Sequence, residues 1–135
     1  MITQQIEKAL IPFNCFVVSR DKLPKYSVTM ETGYVINTDA SDEPGEHWVA
    51  IYLDGMGRGE YFDSFGLPPL HDDFLTFLTR QCTSWSYANF TLQDFESTKC
   101  GEYCIHFLTS RFKHIDYFSI LSSFSSNTKS NNKII

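Results

Sequence analysis

The apolar run at residues 47–53 constrains the fold of this chain more than any other feature of its sequence. A strand with one face in water alternates apolar and polar side chains, whereas a run that is apolar at almost every position is typical of a strand covered on both faces. Three glycines in residues 54–59 then indicate a hairpin loop, and residues 60–65 return as the next strand. The sequence therefore predicts a sheet in which one strand is buried on both faces.

The other elements predict an α+β fold, with a central, mostly antiparallel sheet flanked by helices. Apolar positions repeat at the helical period in three segments, and β-type segments separate them, with turn signals between. Helices are predicted at residues 2–10, 72–80 and 100–112, further strands at 13–19, 33–37 and 85–92, and a turn-rich loop at 39–45. The 135 residues correspond to a single domain, predicted at 1–121, and the Ser- and Asn-rich residues 122–135 are predicted to form a flexible tail.

Charge and cysteine content narrow the classes of function. The net charge of −5 argues against a domain held to nucleic acid mainly through phosphate contacts. No run of apolar residues is long enough for a transmembrane helix, and the first residues lack the pattern of a signal peptide. Four cysteines in such a chain predict an intracellular protein with free thiols, and no second ligand pair accompanies Cys100 and Cys104 at a spacing typical of zinc sites.

Cys100 opens the strongest predicted helix, where unpaired backbone N–H groups favour an anion. The thiolate is the reactive form of cysteine, and the pKa of a thiol falls at a helix N-terminus or beside a protonated histidine. Gly101 follows and permits the close approach of a substrate backbone. These features predict a nucleophile at Cys100, and the alternative is a small buried hydrophobe at the start of the helix's apolar stripe.

Two polar residues flank the predicted hairpin and supply the partners that a nucleophilic thiol needs. His47 begins the buried strand and can act as a base, and Asp63 ends the returning strand and can orient the ring. Pairing Leu53 with Tyr61 would put both on one face of the sheet, whereas pairing Leu53 with Glu60 would separate them unless a bulge intervenes. The alternatives are a strand-end histidine bonded to backbone and an aspartate in a solvated turn.

Gln93 ends the segment that precedes the Cys100 helix. Its amide N–H₂ group can donate a hydrogen bond to the oxyanion that develops when a thiolate attacks a carbonyl. Taken alone, a glutamine is expected on the surface. The oxyanion role therefore requires that Gln93 lie beside Cys100.

Four sequence blocks contain these candidates in a characteristic order: Tyr34-Val-Ile-Asn-Thr, His47-Trp48-Val-Ala, Tyr61-Phe-Asp63-Ser-Phe-Gly66, and Gln93 followed after six residues by Cys100-Gly101. The blocks resemble those of the adenovirus-type cysteine proteases, the adenain family. The wider group includes the SUMO and NEDD8 deconjugating enzymes, which usually have one residue fewer between Gln and Cys and an Asp where this chain has Lys99. The chain looks closest to proteases of Polinton or Maverick elements and related viruses.

The resemblance implies a cysteine endopeptidase that cleaves viral or mobile-element precursor proteins, such as capsid precursors. The alternatives are a deconjugating protease for a ubiquitin-like protein and a catalytically retired scaffold module. The resemblance also implies a Cys–His–Asp mechanism with a glutamine in the oxyanion hole. The implied roles are nucleophile for Cys100, general base and acid for His47, orienting acid for Asp63, oxyanion donor for Gln93, and shaping of the substrate cleft for Trp48 and Gly101.

The family also has activators. Adenovirus proteases are activated by a peptide that is disulfide-bonded to a cysteine eleven residues before the glutamine, and Cys82 lies eleven residues before Gln93. We therefore expect Cys82 on the surface, within reach of an activating peptide. Those enzymes also use viral DNA as a cofactor, which the net charge of −5 does not support here. We otherwise expect a monomer without metal, cofactor or membrane contact, acting in the host nucleus or cytoplasm and in the virion.

Overall fold

A computed structural model describes residues 1–42 and 47–135, so residues 43–45 of the predicted turn-rich loop lie outside the described residues. Five strands form one sheet in the order β1-β2-β3-β4-β5. No helix among the described residues has both the length and the apolar character needed to cross a bilayer. The strands are β1 (Cys15–Ser19), β2 (Thr32–Asn37), β3 (Trp48–Leu53), β4 (Arg58–Phe62) and β5 (Ser84–Tyr87), and the α-helices are α1 (Thr3–Ala9), α2 (Asp72–Gln81), α3 (Cys100–Phe112), α4 (Tyr117–Ser122) and α5 (Thr128–Asn131).

The sheet is mixed, rather than mostly antiparallel as the sequence predicted. Strand β3 runs antiparallel to both β2 and β4, but β1 is parallel to β2 and β5 is parallel to β4. A tight hairpin at residues 54–57 joins β3 to β4. The chain passes through α2 between β4 and β5, and this longer crossover returns the next strand in the same direction. The α+β class is as predicted, while the two edge pairings differ.

Strand β3 is the buried centre of the sheet, and all six of its residues are buried. Its alternate side chains enter two separate apolar clusters, one against α3 and one against α2. Ala50 and Tyr52 face the α3 side, whereas Val49 and Ile51 face the α2 side. The prediction of a strand covered on both faces is confirmed.

Helix α3 packs through its predicted stripe. Cys100, Tyr103, Cys104, Phe107 and Leu108 are all buried, with Cys100 the most exposed of them at 8%. The rings of Phe62 and Phe107 stack at a centroid distance of 4.7 Å, which joins β4 to the middle of the helix. This packing fixes the position of the first turn of α3 against the sheet.

Residues 122–135 fold back onto the domain, in contrast to the flexible tail that their composition predicted. Asn127 caps α5 by accepting a hydrogen bond from the Ser130 amide, and Asn131 is fully buried. The Asn131 side-chain amide donates to the carbonyl of Leu92 at 3.0 Å and to that of Ser125 at 2.8 Å. Composition is a poor guide here because these polar side chains bond to backbone groups instead of to water.

Candidate active site

Cys100 occupies the first position of α3. Burial raises the pKa of its thiol, but hydrogen bonds with His47 and with the backbone N–H groups of Trp48 and Gly101 outweigh burial, so the pKa lies below its usual 9.0. Among the described residues, no side chain caps α3, which leaves the helix N–H groups available to the sulfur. The site therefore stabilises a thiolate at Cys100.

His47 lies immediately before β3, and its ring joins Cys100 to Asp63. The Nε2 atom lies 2.9 Å from Oδ1 of Asp63, which leaves Nδ1 for the hydrogen bond with Cys100. Burial acts to lower the pKa of His47, but hydrogen bonds with Asp63 and Cys100, together with their negative charges, raise it to about 9. The two opposite shifts act in the direction of a thiolate–imidazolium pair, which is the reactive form of a catalytic cysteine.

Asp63 lies directly after β4 and is held by the turn that follows. Its Oδ1 atom accepts a hydrogen bond from the Phe65 amide at 2.8 Å, and its carbonyl accepts one from the Gly66 amide at 2.8 Å. Gly66 has a φ of +78°, a conformation that favours glycine. The ring of Phe65 stacks on that of His47 at a centroid distance of 5.0 Å. A buried carboxylate and an aromatic ring thus fix the imidazole from two directions.

The observed register differs from both registers considered from the sequence. Leu53 pairs with Gly59, and Ala50 pairs with Phe62. This register is displaced by two residues from the pairing of Leu53 with Tyr61, so the alternation of faces is unchanged. His47 and Asp63 consequently fall on one face, in line with their direct contact and without the need for a bulge.

Gln93 is 1% exposed, so the ordinary expectation of a surface glutamine is wrong. Its Oε1 atom accepts a hydrogen bond from the Ser64 hydroxyl, and its Nε2 atom donates to the Ser97 carbonyl at 2.8 Å. The same cleft is lined by Gln93, His47 and Cys100. Sequence reasoning gave Ser64 no role and considered Ser97 only as a cap of α3, which it does not form, although Ser64 stands next to Asp63 in one of the family blocks.

The cleft at these residues has a volume of about 620 Å³. Trp48 lines it, and the indole N–H of Trp48 donates to the Met1 carbonyl at 3.1 Å. Gly101 does not line the cleft, but it packs closely against the Met1 side chain that does, since a Cβ atom on Gly101 would lie 3.1 Å from it. No group of three or more His, Cys, Asp or Glu side chains in the described ranges is arranged to hold a metal ion. The cleft walls come from residues 1–3, 37, 47–48, 65, 93, 97–98 and 100.

Cys82 lies outside the cleft, at the C-terminal end of α2 and just before β5. It is only partly exposed, and its thiol turns towards Gly59 and packs with the apolar cluster on the α2 side. Burial raises the pKa of the Cys82 thiol. Cys82 thus lies away from the cleft as expected, but its thiol is partly covered by β4, and its reach by an activating peptide stays a prediction.

Comparison with known proteins identifies viral cysteine proteases as relatives. The cysteine protease S273R of African swine fever virus, isolate Tick/Malawi/Lil 20-1/1983, is 29% identical over 103 residues, which are 67% of this chain and 37% of that protein. The SUMO-1 cysteine protease S273R of the isolate Warthog/Namibia/Wart80/1980 is 28% identical over the same length. No protein-family model matches the chain. The chain is thus homologous to S273R, and it spans little more than a third of the relative's length.

Two solved structures resemble the fold. The selenomethionine crystal structure of the African swine fever virus pS273R protease matches with a TM-score of 0.58 and 26% identity, covering 75% of this chain and 40% of that one. AvrA delL154 with IP6 and CoA matches with a TM-score of 0.50 and 13% identity, covering 83% of this chain and 47% of that one, a likeness of fold alone. The first match confirms the predicted α+β fold class of the adenain-like proteases. The expected closeness to Polinton or Maverick proteases stays a prediction.

Proposed function

We propose that this protein is a cysteine endopeptidase with Cys100 as nucleophile, His47 as general base and acid, and Asp63 as the residue that orients His47. The observation that carries the proposal is the continuous hydrogen-bonded chain from Cys100 through His47 to Asp63, in which the pKa of the thiol is lowered and that of the imidazole is raised. Homology to proteins named cysteine proteases supports it.

In the first half of the reaction, the Cys100 thiolate attacks the carbonyl carbon of the scissile peptide. A C–S bond forms, and the carbonyl electrons move onto oxygen to give a tetrahedral oxyanion. The Gln93 amide and the backbone N–H groups at the start of α3 donate hydrogen bonds to that oxyanion. The His47 imidazolium then gives its proton to the leaving nitrogen, the C–N bond breaks, and an acyl-enzyme thioester remains.

In the second half, His47 is neutral and takes a proton from water. The hydroxide adds to the thioester carbon, the C–S bond breaks, and the product leaves as a carboxylic acid. The Cys100 thiolate and the His47 imidazolium are restored together. The Asp63 carboxylate accepts the hydrogen bond from Nε2 of His47 and so stabilises the charged ring.

For the substrate we propose viral or mobile-element precursor proteins of the capsid type, cleaved in the infected cell and in the virion. Homology to a protease of a virus supports this choice. A deconjugating protease for a ubiquitin-like protein is the second candidate, because some relatives carry the name SUMO-1 cysteine protease. Both candidates use the same catalytic residues and differ in what enters the cleft.

We also propose that a peptide activates the protein through Cys82, although the thiol is less accessible than the sequence suggested. The Cys82 thiol packs towards Gly59 and is partly covered, so a peptide that forms a disulfide there would have to reach a sulfur that is not freely exposed. We propose further that the chain acts as a monomer without a metal or DNA cofactor. A retired scaffold is the less favoured alternative, because a site without chemistry has no need of an aligned thiolate–imidazolium pair.

A peptide cleavage assay with mass-spectrometric readout tests the proposal. The purified protein is incubated with a proteome-derived peptide library and, in parallel, with SUMO-1 precursor carrying a C-terminal extension. Cys100→Ala should abolish cleavage, whereas Cys15→Ala, which removes a partly buried thiol outside the cleft, should retain it. Cleavage of SUMO-1 precursor alone would favour the deconjugating function, and cleavage that survives Cys100→Ala would refute the nucleophile.

A further inference from the structure

We propose that Ser64 is a positioning residue that holds the Gln93 amide in the orientation that binds an oxyanion, an inference that rests on the cysteine protease function proposed above. Ser64 is fully buried and follows Asp63 in the turn after β4. Its hydroxyl donates to Oε1 of Gln93. Its carbonyl accepts hydrogen bonds from the amides of Leu92, at 2.8 Å, and Gln93, at 3.0 Å. One serine therefore holds both the backbone and the side chain of the oxyanion donor.

The direction of the Gln93 amide follows from what each partner can do. The Ser97 carbonyl can only accept, so it requires the N–H₂ end of the amide, which it contacts at 2.8 Å. The Oε1 end is then the acceptor that faces Ser64, whose hydroxyl donates to it. Ser64 and Ser97 together fix both ends of a planar group.

One N–H of Gln93 is left over by this arrangement. The amide carries two N–H donors, and a single acceptor, the Ser97 carbonyl, is found for them among the described residues. Gln93 lines the same cleft as Cys100. A fixed amide plane therefore aims the remaining N–H into the cleft, where a negative charge develops on the attacked carbonyl.

Loss of the Ser64 hydroxyl would leave Oε1 of Gln93 buried and without a donor. A buried acceptor in that state is unfavourable, and the amide is then held at its N–H₂ end alone, by the Ser97 carbonyl. Movement of the amide about that end would take its remaining N–H out of line with the developing oxyanion. Loss of the Ser64 hydroxyl should therefore lower the rate of the chemical step. It should leave the Cys100–His47 pair unchanged, because the Ser64 side chain does not contact that pair.

The same turn also links two parts of the site. Asp63 orients His47 through its side chain, and the next residue orients Gln93 through its own. The carboxylate and the oxyanion donor are thus positioned by adjacent residues at the end of one strand.

The test is a comparison of Ser64→Ala with Ser110→Ala, a control that removes the hydroxyl of another buried serine, on α3 and outside the cleft. Peptide hydrolysis is measured as kcat and KM, and Cys100 alkylation by iodoacetamide is measured separately because it forms no oxyanion. For Ser64→Ala we expect a fall in kcat of about tenfold, smaller than the about 10²- to 10³-fold expected for Gln93→Ala, with KM and the alkylation rate unchanged. For Ser110→Ala we expect no change.

A double variant separates positioning from general damage. In a Gln93→Ala background, Ser64→Ala should cause no further loss of kcat, because the group it positions is gone. Equal losses in both backgrounds, or wild-type kcat for a folded Ser64→Ala, would overturn the inference while the protease function stands. If Ser64→Ala does not fold, Ser64→Cys replaces it under the same criteria, because a thiol has similar volume and donates only weakly. An inactive wild-type protein would instead refute the proposed function itself.

Discussion

Replacing Asn131 tests the most unexpected part of the fold, the anchoring of the C-terminal residues beside the candidate site. The Asn131 side chain donates to the carbonyls of Leu92 and Ser125 and accepts from the Ser125 amide at 2.9 Å. Asn131→Ala removes these three hydrogen bonds together with a longer fourth one, from the Ser125 hydroxyl at 3.3 Å. At about 1 kcal/mol for each of the three shorter bonds, the free energy of unfolding should fall by about 3 kcal/mol.

This loss corresponds to a measurable change in melting temperature. A chain of 135 residues has an unfolding entropy of about 0.28 kcal/mol/K, so Tm should fall by about 10 °C. Thermal unfolding followed by circular dichroism gives Tm, and peptide hydrolysis below Tm should also slow, because Leu92 adjoins Gln93. The control is Asn89→Ala, at an exposed asparagine, for which we expect little change.

The refuting result is specific. If Asn131→Ala and Asn89→Ala melt at the same temperature and hydrolyse peptides equally, residues 122–135 do not pack on the domain in solution. The flexible tail predicted from composition would then be the better description. A large loss for both variants would instead show that asparagine truncation destabilises the chain without regard to burial, and the argument from the hydrogen bonds would fail.

Three further predictions concern the catalytic groups. Asp63→Ala should lower kcat less than Cys100→Ala, because Phe65 still stacks on His47; hydrolysis kinetics test this, and a loss as complete as for Cys100→Ala would contradict it. Gln93→Ala should lower kcat by about 10² to 10³ and leave the Cys100 alkylation rate unchanged, and slowed alkylation would count against a role confined to the oxyanion. In a pH profile, kcat/KM should fall as pH rises through about 9, the pKa of His47, because the imidazolium that protonates the leaving group is lost. The free energy of unfolding that is linked to the raised pKa of His47 should be fully present below about pH 6.5 and should be lost as pH rises through about 9. Constant activity up to pH 10 would contradict the role of His47 as the acid.

The residues of the candidate site could be predicted from the sequence because they stand at the ends of helices and strands that the sequence itself indicates. Cys100 begins the helix with the clearest apolar stripe, and His47 begins the most apolar strand. The glycine-rich hairpin brings residues before β3 near residues after β4. The sequence left open the register between β3 and β4. The observed pairing of Leu53 with Gly59 is displaced by two residues from the pairing of Leu53 with Tyr61, so it also puts His47 and Asp63 on one face of the sheet.

The features that the sequence did not predict share a physical cause, because they depend on contacts between segments distant in the chain. The partly buried state of Cys82 depends on the return of β5 alongside β4, a parallel pairing formed only after α2 crosses the sheet. The packing of residues 122–135 depends on an acceptor at Leu92, 39 positions before its donor Asn131. Local composition carries no information about such partners.

The sequence by itself determined the elements and the identity of the reactive groups, because apolar periodicity and side-chain chemistry are properties of short segments. It determined a strand buried on both faces, a helix that begins at a cysteine, and a histidine and an aspartate on either side of a hairpin. Only the tertiary structure decided the parallel edges of the sheet, the pKa shifts of Cys100 and His47, and the orientation of Gln93 by Ser64. These depend on distances and burial, which arise when segments far apart in the chain pack together.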